Sequence, residues 1–148
     1  MKVSTRVEYG VLALTDIAMN AAEGISVPAP EIAERQEISQ KYLEQILTQL
    51  KQAGLIRAQK GLRGGYTLAR PVESITLADI LNALDTGILE ETDTAEIGEK
   101  RTLRDAVDVC LWKKINRAII GFAESRTLLD FVQECRDHLN GGWDLYMI

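Results

Sequence analysis

Histidine and cysteine, on which many active sites and metal sites depend, are scarce in this chain of 148 residues, which has one histidine and two cysteines. The histidine, His138, lies near the C-terminal end, and neither a Gly-x-Ser-x-Gly sequence nor a phosphate-binding loop followed by a helix is present. An enzyme would need a nucleophile with a base, or an acid–base pair in a pocket. We therefore predict that the chain is not an enzyme.

Long apolar runs are also missing. No stretch approaches the roughly 18 consecutive apolar residues that a membrane span needs, and residues 1–5 lack the apolar segment of a signal peptide. The two cysteines, Cys110 and Cys135, are too few for the disulfide framework of a small secreted protein. We expect a cytoplasmic protein that makes no membrane contact.

Positive charge is in the minority, with 17 Lys and Arg against 22 Asp and Glu and a net charge of −5. It is unevenly distributed, because residues 41–70 carry six basic side chains and one acid, Glu44, whereas residues 71–148 have a net charge of −7. A basic stripe in an acidic protein is typical of a phosphate-binding surface. Chance clustering on a solvated face would give the same pattern, so charge alone leaves both interpretations open.

Capping and periodicity signals predict three helices in the first third of the chain. A capping box at Thr5–Glu8 begins the first helix and Gly24 ends it, while Pro28 and Pro30 stand before and at the start of the second. Ser39 is the expected N-cap of the third helix. The predicted ranges are 5–22, 31–37 and 40–53, and the third helix has one apolar face and ends at Gly54. That face consists of Leu43, Ile46, Leu47 and Leu50.

Two short strands, 55–59 and 66–69, enclose the glycine-rich loop 60–65 directly after the third helix. Two helices joined by a tight turn form a helix-turn-helix, and a hairpin directly after the second helix is a wing. We therefore predict a mainly α fold with a small β-hairpin. Its parts are a winged helix-turn-helix domain, with recognition helix 40–53 and wing 55–69, and a long dimerisation helix.

The second half of the chain repeats one helix-start signal, a threonine followed three positions later by an acid, at Thr76, Thr102 and Thr127. The helix after Thr76 is expected to end at Gly87. Residues 88–101 contain five acids and little apolar pattern, which predicts a mobile loop. The predicted organisation is a DNA-binding domain over 1–87, the acidic loop 88–101, and a dimerisation helix with a C-terminal helix over 102–148.

The helix predicted over 103–123 carries an apolar stripe that is too wide for the small N-terminal domain to cover. A second copy of the chain is the economical partner, so we expect a homodimer. Burial of the stripe under the first helix of the same chain is the alternative. The predicted dimerisation residues are Val107, Leu111, Ile115, Ala118 and Phe122, with Leu103, Ala106, Cys110 and Ile119 on the flank.

The outward face of the 40–53 helix follows from its period and is polar with few Lys/Glu pairs, unlike an ordinary solvated face. Gln, Glu, Ser and Thr can bond to base edges in the major groove, while Lys41 and the helix N-terminus suit phosphate. Tyr42 is expected either to pack or to reach a thymine methyl or a phosphate. Gln52 also lies opposite the core, at the far end of the helix. The residues of this helix that we expect at the DNA are Ser39, Gln40, Lys41, Tyr42, Glu44, Gln45 and Thr48.

The wing is expected to supply the remaining contacts. Lys60 and Arg63 bring charge, and an arginine at a hairpin tip suits the narrow minor groove of A·T-rich DNA. Gly61 lets the backbone approach the DNA closely, although the glycines could also serve only the turn geometry.

Several segments resemble the IscR/NsrR/CymR family of bacterial winged-helix regulators, notably Tyr-Leu-Glu-Gln at 42–45 and Gly-Gly-Tyr at 64–66. The resemblance covers essentially the whole chain, including Leu111-Trp112, and implies a dimer that reads a palindromic operator in double-stranded DNA, usually as a repressor. The family usually has Arg where Lys60 stands, so a planar fork is replaced by a point charge. The matching positions imply DNA contacts at Ser39, Gln40, Tyr42, Glu44, Gln45, Lys60, Gly61 and Arg63.

Many members of that family hold an iron–sulfur cluster on three cysteines in the segment that matches 88–106, where this chain has none. Ala106 and Val109 stand near positions of ligands in other members. Cys110 and Cys135 are expected to be buried structural thiols, and Cys135 with His138 gives too few ligands for zinc or a cluster. We therefore expect that the chain has no cofactor and belongs to the cluster-free, CymR-like branch of the family. Cys→Ala changes introduced by engineering would explain the absence of the cysteines equally well.

Two other functions remain as alternatives. One is an iron–sulfur-type regulator whose ligands are absent or were engineered away, for which Glu8 is a formal carboxylate candidate. The other is a winged-helix module for protein contacts only, which would not predict the basic stripe. The regulatory signal stays open between a small-molecule effector, a partner protein and oxidation of Cys110.

Overall fold

The computed structural model describes residues 2–22, 25–62, 64–90 and 102–141. The strands β1 (Ile56–Gln59) and β2 (Gly65–Leu68) form a two-stranded antiparallel sheet, which is followed by a 3₁₀ turn, Val72–Ser74. A π-helical turn, Asp108–Trp112, lies within the continuous helical segment 103–125. The predicted mainly α fold with one hairpin is confirmed. The α-helices of these ranges are α1 (Thr5–Asn20), α2 (Ala29–Gln36), α3 (Gln40–Gln52), α4 (Leu77–Leu84), α5 (Leu103–Val107), α6 (Lys113–Ser125) and α7 (Leu128–Leu139).

The main core forms where α1, α2, α3 and α4 meet, and α7 packs onto it through Leu128 and Val132. Gly10 allows α1 to approach α4, because a Cβ at this position would collide with the side chain of Leu84. Among the described helices, none combines the length and the apolar character that crossing a membrane would require. The four residues predicted as the apolar face of the third helix, Leu43, Ile46, Leu47 and Leu50, are all buried.

The wing is tied to the segment that precedes α2. Val27 and Tyr66 exchange two backbone hydrogen bonds, in which the N–H of each donates to the carbonyl oxygen of the other at 2.9 and 2.8 Å. A Cβ at Gly65 would lie 2.5 Å from the carbonyl carbon of Val27, so this approach requires glycine. This contact fixes the wing relative to the helix-turn-helix, and no local sequence pattern predicted it.

The helix ends agree with the predictions in part. Ser4 caps α1, with its Oγ accepting a hydrogen bond from the N–H of Val7 at 3.3 Å, so the predicted capping box at Thr5–Glu8 is wrong. Helix α2 begins earlier than predicted, at Ala29, since a proline suits the first turn. Helix α4 ends before Gly87, because Asp85 is extended. Gly24 lies outside the described residues.

All three threonine start signals form capping boxes, in which the threonine hydroxyl accepts from a backbone N–H and the acid three residues later accepts from the threonine N–H. These hydrogen bonds hold the pKa of Asp105 and of Asp130 below its ordinary value. Downstream of α4, Leu89 is buried against Ala78 and Ala123, so the start of the predicted mobile loop is packed. Residues 91–101 of that loop lie outside the described residues.

An ion pair between a buried carboxylate and a partly exposed arginine holds α2 on α1. The fully buried carboxylate of Asp16 accepts hydrogen bonds from Arg35 Nε at 3.0 Å, from Arg35 Nη2 at 2.8 Å and from Gln36 Nε2 at 2.8 Å. Burial alone would raise the pKa of Asp16, but the hydrogen bonds and the charge of Arg35 outweigh it and hold that pKa below its ordinary value. The ionised carboxylate therefore stabilises the fold near neutral pH, and this contribution is lost as the pH falls through the lowered pKa.

Replacing this carboxylate should weaken the fold. We expect Asp16→Asn to lower the free energy of unfolding by about 1–3 kcal/mol, because the donors of Arg35 and Gln36 lose a charged acceptor. The matched control, Glu31→Gln, removes only an exposed partner of Arg35 and should cost less than about 1 kcal/mol. Urea denaturation measures both. The difference between wild type and Asp16→Asn should shrink below about pH 4, and a difference independent of pH would contradict the assignment.

Candidate nucleic-acid interface

Helix α3 separates its two faces sharply. Its apolar side chains are buried in the core, and its opposite side is open to solvent. The exposed residues along the helix are polar, as its period predicted. They are Gln40, Lys41, Glu44, Gln45, Thr48, Lys51 and Gln52.

The N-terminal end of α3 is open as well. Ser39 is its N-cap, with Oγ accepting from the N–H of Tyr42 at 3.3 Å, and the side chains of Ser39 to Lys41 are exposed. The turn from α2 is tight because Glu37 takes a left-handed conformation with φ of 54° and the next residue, Ile38, is buried. The first free N–H groups of α3 therefore face solvent beside a lysine, an arrangement that suits an anion.

Two contacts fix the orientation of α3. The ring of Tyr42 packs edge-on against Tyr9 of α1, with 5.9 Å between the ring centroids, so packing is the role that the structure shows for Tyr42. Gln49 Nε2 donates to the carbonyl oxygen of Leu84 at the end of α4, at 3.0 Å. The role of Gln49 was not predicted, because only its hydrogen-bond partner distinguishes this residue from the other glutamines of α3.

The hydroxyl of Thr48 is partly engaged within α3. Its Oγ1 donates to the carbonyl oxygen of Glu44 at 2.8 Å, which leaves it as an acceptor toward a ligand. The carboxylate of Glu44 and the carboxamide of Gln45 are exposed one turn earlier. This face thus offers both donors and acceptors, as the reading of base edges requires.

The wing projects an exposed loop between β1 and β2. Gly61 has φ of +122°, which side-chain-bearing residues rarely adopt, and its carbonyl oxygen accepts from the N–H of Gly64 at 3.0 Å. Lys60 and Leu62 are exposed beside it, and Arg63 lies outside the described residues. The turn thus accounts for Gly61 by its geometry, while Lys60 keeps its charge in solvent.

The basic stripe is only partly neutralised. Arg70 forms an ion pair with Asp79, with 3.4 Å between Nη2 and Oδ2, and Arg57 Nη2 donates to the carbonyl oxygen of Ala69 at 3.3 Å. Within the described part of the chain, Lys41 and Lys60 have no carboxylate partner in ion-pair distance. The two lysines at the N-terminal end of α3 and in the wing are therefore available to phosphates.

A second surface lies on the helical segment from α5 to α6. The large side chains of its predicted stripe are 39–58% exposed, so the alternative of burial under α1 is wrong. The π-helical turn Asp108–Trp112 lies within the stripe, and the spacing of four residues there is intermediate between an α-helical and a π-helical turn. The exposed stripe residues are Val107, Leu111, Ile115, Ala118 and Phe122.

The exposure of the two cysteines differs from what the sequence predicted, and the π-helical turn contains a buried carboxylate. Cys110 is exposed in the single chain, so the prediction that this thiol is buried within its own subunit is wrong. Cys135 of α7 is half-buried, and burial, followed by the charge of Glu134, raises its pKa. Asp108 is buried with Lys113 Nζ 3.6 Å from its Oδ2, an ion pair that nothing in the sequence pattern indicated.

Comparisons with known proteins agree with this geometry. Residues 3–134 match the model of the Rrf2 family, described as iron-dependent transcriptional regulators. The chain is 33% identical to the HTH-type transcriptional regulator IscR of Cereibacter sphaeroides over 136 residues, which covers 90% of this chain and 88% of that protein.

Solved structures show the same fold. CymR of B. subtilis, described as its global cysteine regulator, superimposes with a TM-score of 0.75 at 28% identity, covering 90% of this chain and 98% of CymR. IscR of T. potens gives a TM-score of 0.72 at 32% identity, with 91% and 88% covered.

The description of the matching family names iron, and the donors of this chain do not fit an iron–sulfur centre. Such a cluster needs about four protein ligands, predominantly thiolates. Cys110 and Cys135 lie on separate helical elements, one exposed and one half-buried. Among the described residues, no three His, Cys, Asp or Glu side chains form a group that could hold a metal ion, and positions 88–101 include neither Cys nor His.

We expect protein purified without oxygen from iron-replete cells to contain far less than one iron and one acid-labile sulfide per chain. Its visible spectrum should match that of a Cys110→Ser, Cys135→Ser double variant, because the wild type has no set of thiolates to hold a cluster. Iron and sulfide analysis measures this directly. Stoichiometric iron and sulfide that disappear in the double variant would contradict the expectation.

Proposed function

The chain belongs to the Rrf2 family of transcriptional regulators and is a DNA-binding regulator, and from this premise we propose that it acts as a homodimeric repressor that reads a palindromic operator. The observation that carries the proposal is the sharply divided α3, whose apolar face is buried while its polar face is open. An α-helix about 10–12 Å wide fits the major groove of B-DNA. The adjacent wing then lies beside the same duplex.

Within α3 we divide the contacts by chemistry. Gln40, Glu44 and Gln45 read base edges, since glutamine suits adenine and a carboxylate accepts from cytosine N4. Ser39 and Lys41 hold a phosphate at the helix N-terminus. Thr48 accepts from a base or a bridging water, and Tyr42 acts by fixing α3 on α1.

In the wing, Lys60 and Arg63 contact phosphates or the minor groove, and Gly61 lets the backbone approach. The exposed charge of Lys60 supports this assignment. A phosphate contact of Lys60 supplies affinity for any sequence, because a point charge on a phosphate carries no base information.

The dimer forms through the stripe Val107, Leu111, Ile115, Ala118 and Phe122. An apolar strip of this length is unusual on a monomer and favours a second copy packed against it. A two-fold axis between two α3 helices requires two half-sites related by the same symmetry, and hence a palindrome.

Residues 1–87 then bind DNA and residues 102–148 dimerise, with the acidic segment 88–101 between them. Occupancy of the operator blocks transcription, and the protein works in the cytoplasm, where a bacterial chromosome lies. The signal that releases it is a small-molecule effector, a partner protein or oxidation of the exposed Cys110.

A winged-helix module for protein contacts alone is the second candidate for α3 and the wing. Lys41 and Lys60, which have no ion-pair partner among the described residues, favour DNA, because a protein-binding surface does not require charge of one sign.

The proposed division of contacts predicts two different mutant phenotypes. Glu44→Ala or Gln45→Ala should cost about 1–3 kcal/mol on the preferred operator and change the base preference at one position in each half-site. Lys41→Ala or Lys60→Ala should weaken binding to every sequence and flatten its salt dependence. Electrophoretic mobility assays with operator and scrambled DNA at several salt concentrations measure both. The same uniform loss in Glu44→Ala and Lys60→Ala would show that the division is wrong.

The dimer predicts that Ile115→Asp dissociates the protein. The aspartate would be buried without a partner in the interface, whereas Ile115 is 45% exposed in the single chain, so the fold of each subunit should survive. Sedimentation should give about twice the chain mass for wild type and the single mass for the variant. Arg117→Asp, at an exposed position of α6 away from the stripe, is the matched control and should remain dimeric. A folded wild-type monomer at micromolar concentration would refute the dimer.

A further inference from the structure

A cavity of about 590 Å³ lies between α1, α2 and α7. Its walls include Leu12 and Met19 of α1, Arg35 of α2, and Phe131 and Leu139 of α7. Its volume falls in the range of roughly 300–1,000 Å³ found for small-molecule sites, which are mainly apolar and have a few polar groups. None of these residues belongs to the face of α3 or to the wing, so the cavity is separate from the DNA-binding surface.

The two carboxylates and the arginine on the wall are already paired within the protein. Asp16 is bound by Arg35 through two hydrogen bonds, and Glu134 forms an ion pair with Arg126. A charged ligand would therefore lose its hydration without gaining a partner of opposite charge. The carboxamide of Gln36 and the hydroxyl of Thr15 lie on the same wall. Gln36 Nε2 donates to Asp16 and Thr15 Oγ1 donates to the carbonyl oxygen of Val11, so both side chains keep an oxygen that can accept from the hydroxyl or amide of a neutral ligand.

We propose that this cavity binds a small, uncharged, mainly apolar organic molecule that carries a hydroxyl or amide group, and that such a molecule is an effector of DNA binding. The binding site stands on the cavity alone, whereas the role as effector rests on the proposed function.

The position of the cavity gives the effector a route to α3. Arg35 and Gln36 end α2, directly before the turn that leads to α3, and both bind Asp16 of α1. A ligand in the cavity touches these residues on one side and α7 on the other. If it fits one arrangement of α2 and α7 better than another, it shifts the population of that arrangement, and with it the affinity of α3 for DNA.

The two cysteines provide an internal test. Cys135 lies on the wall of the cavity, whereas Cys110 is exposed on the π-helical turn. We would alkylate the full-length protein with N-ethylmaleimide at neutral pH, where 2-naphthol is uncharged, with and without 2-naphthol as the probe, and follow each cysteine by peptide mass spectrometry. Cys135 should react about tenfold more slowly when 2-naphthol is present at about ten times its dissociation constant, and Cys110 should react at an unchanged rate.

A charged analogue of the probe and a variant with a filled cavity test whether protection of Cys135 requires an uncharged ligand in this cavity. 2-Naphthoate has the same rings with a negative charge and should give no protection at the same concentration. Leu12→Trp, which fills the mouth of the cavity from a partly exposed position, should remove the effect of 2-naphthol. Leu62→Trp at the tip of the wing is the matched control and should retain it. Equal protection by 2-naphthoate, or protection that survives in Leu12→Trp, would overturn the proposed site.

A second copy of the chain could cover this groove instead. In that case, Cys135 would become less reactive as the protein concentration rises, and 2-naphthol would not protect it at any concentration, which would also overturn the site. The effector role is read separately as a change in operator affinity with 2-naphthol in wild type that is absent in Leu12→Trp. Protection without such a change would overturn the role as effector. Loss of DNA binding altogether would bear only on the proposed function, because alkylation is measured without DNA.

Discussion

The burial of one face of α3 is the constraint on which the rest of the structure depends. Leu43, Ile46, Leu47 and Leu50 are at most 1% exposed, and each would cost roughly 1.5–3 kcal/mol to expose. Helix α3 therefore cannot rotate about its axis, and its polar face has to point outward. The ring contact with Tyr9 and the hydrogen bond of Gln49 to Leu84 add direction to what is otherwise a non-directional force. The chemistry of the outward face is thus set by the packing behind it.

The wing and the helix-turn-helix form one unit for a related reason. The backbone pairing of Val27 with Tyr66 gives hydrogen-bond partners to an N–H and a carbonyl oxygen at the edge of the two-stranded sheet, which would otherwise be unpaired within the protein. It also ties the hairpin to the chain just before α2, while the ion pair of Asp16 with Arg35 ties α2 to α1. A displacement of α2 would therefore affect both the wing and α3, which is why a cavity against α2 has regulatory interest.

The sequence predicted those features whose causes are local. The threonine caps and the apolar face of α3 each depend on spacings of three or four residues, and the structure contains them. The missed features depend on residues far apart in the chain, such as Asp16 with Arg35 or Val27 with Tyr66. The π-helical turn was missed because apolar residues four apart look the same in an α-helix. Ser4 rather than Thr5 caps α1, since neighbouring Ser and Thr are equivalent by type.

The claim at the centre of this account is that two copies of α3 read sequence in two symmetric half-sites. Selection of random double-stranded DNA by the purified protein, followed by sequencing of the bound fragments, tests it most directly. The account predicts one enriched inverted repeat with half-site centres about one helical turn apart, or a multiple of it. Bound fragments without a shared motif, or with a single unrepeated half-site, would contradict it.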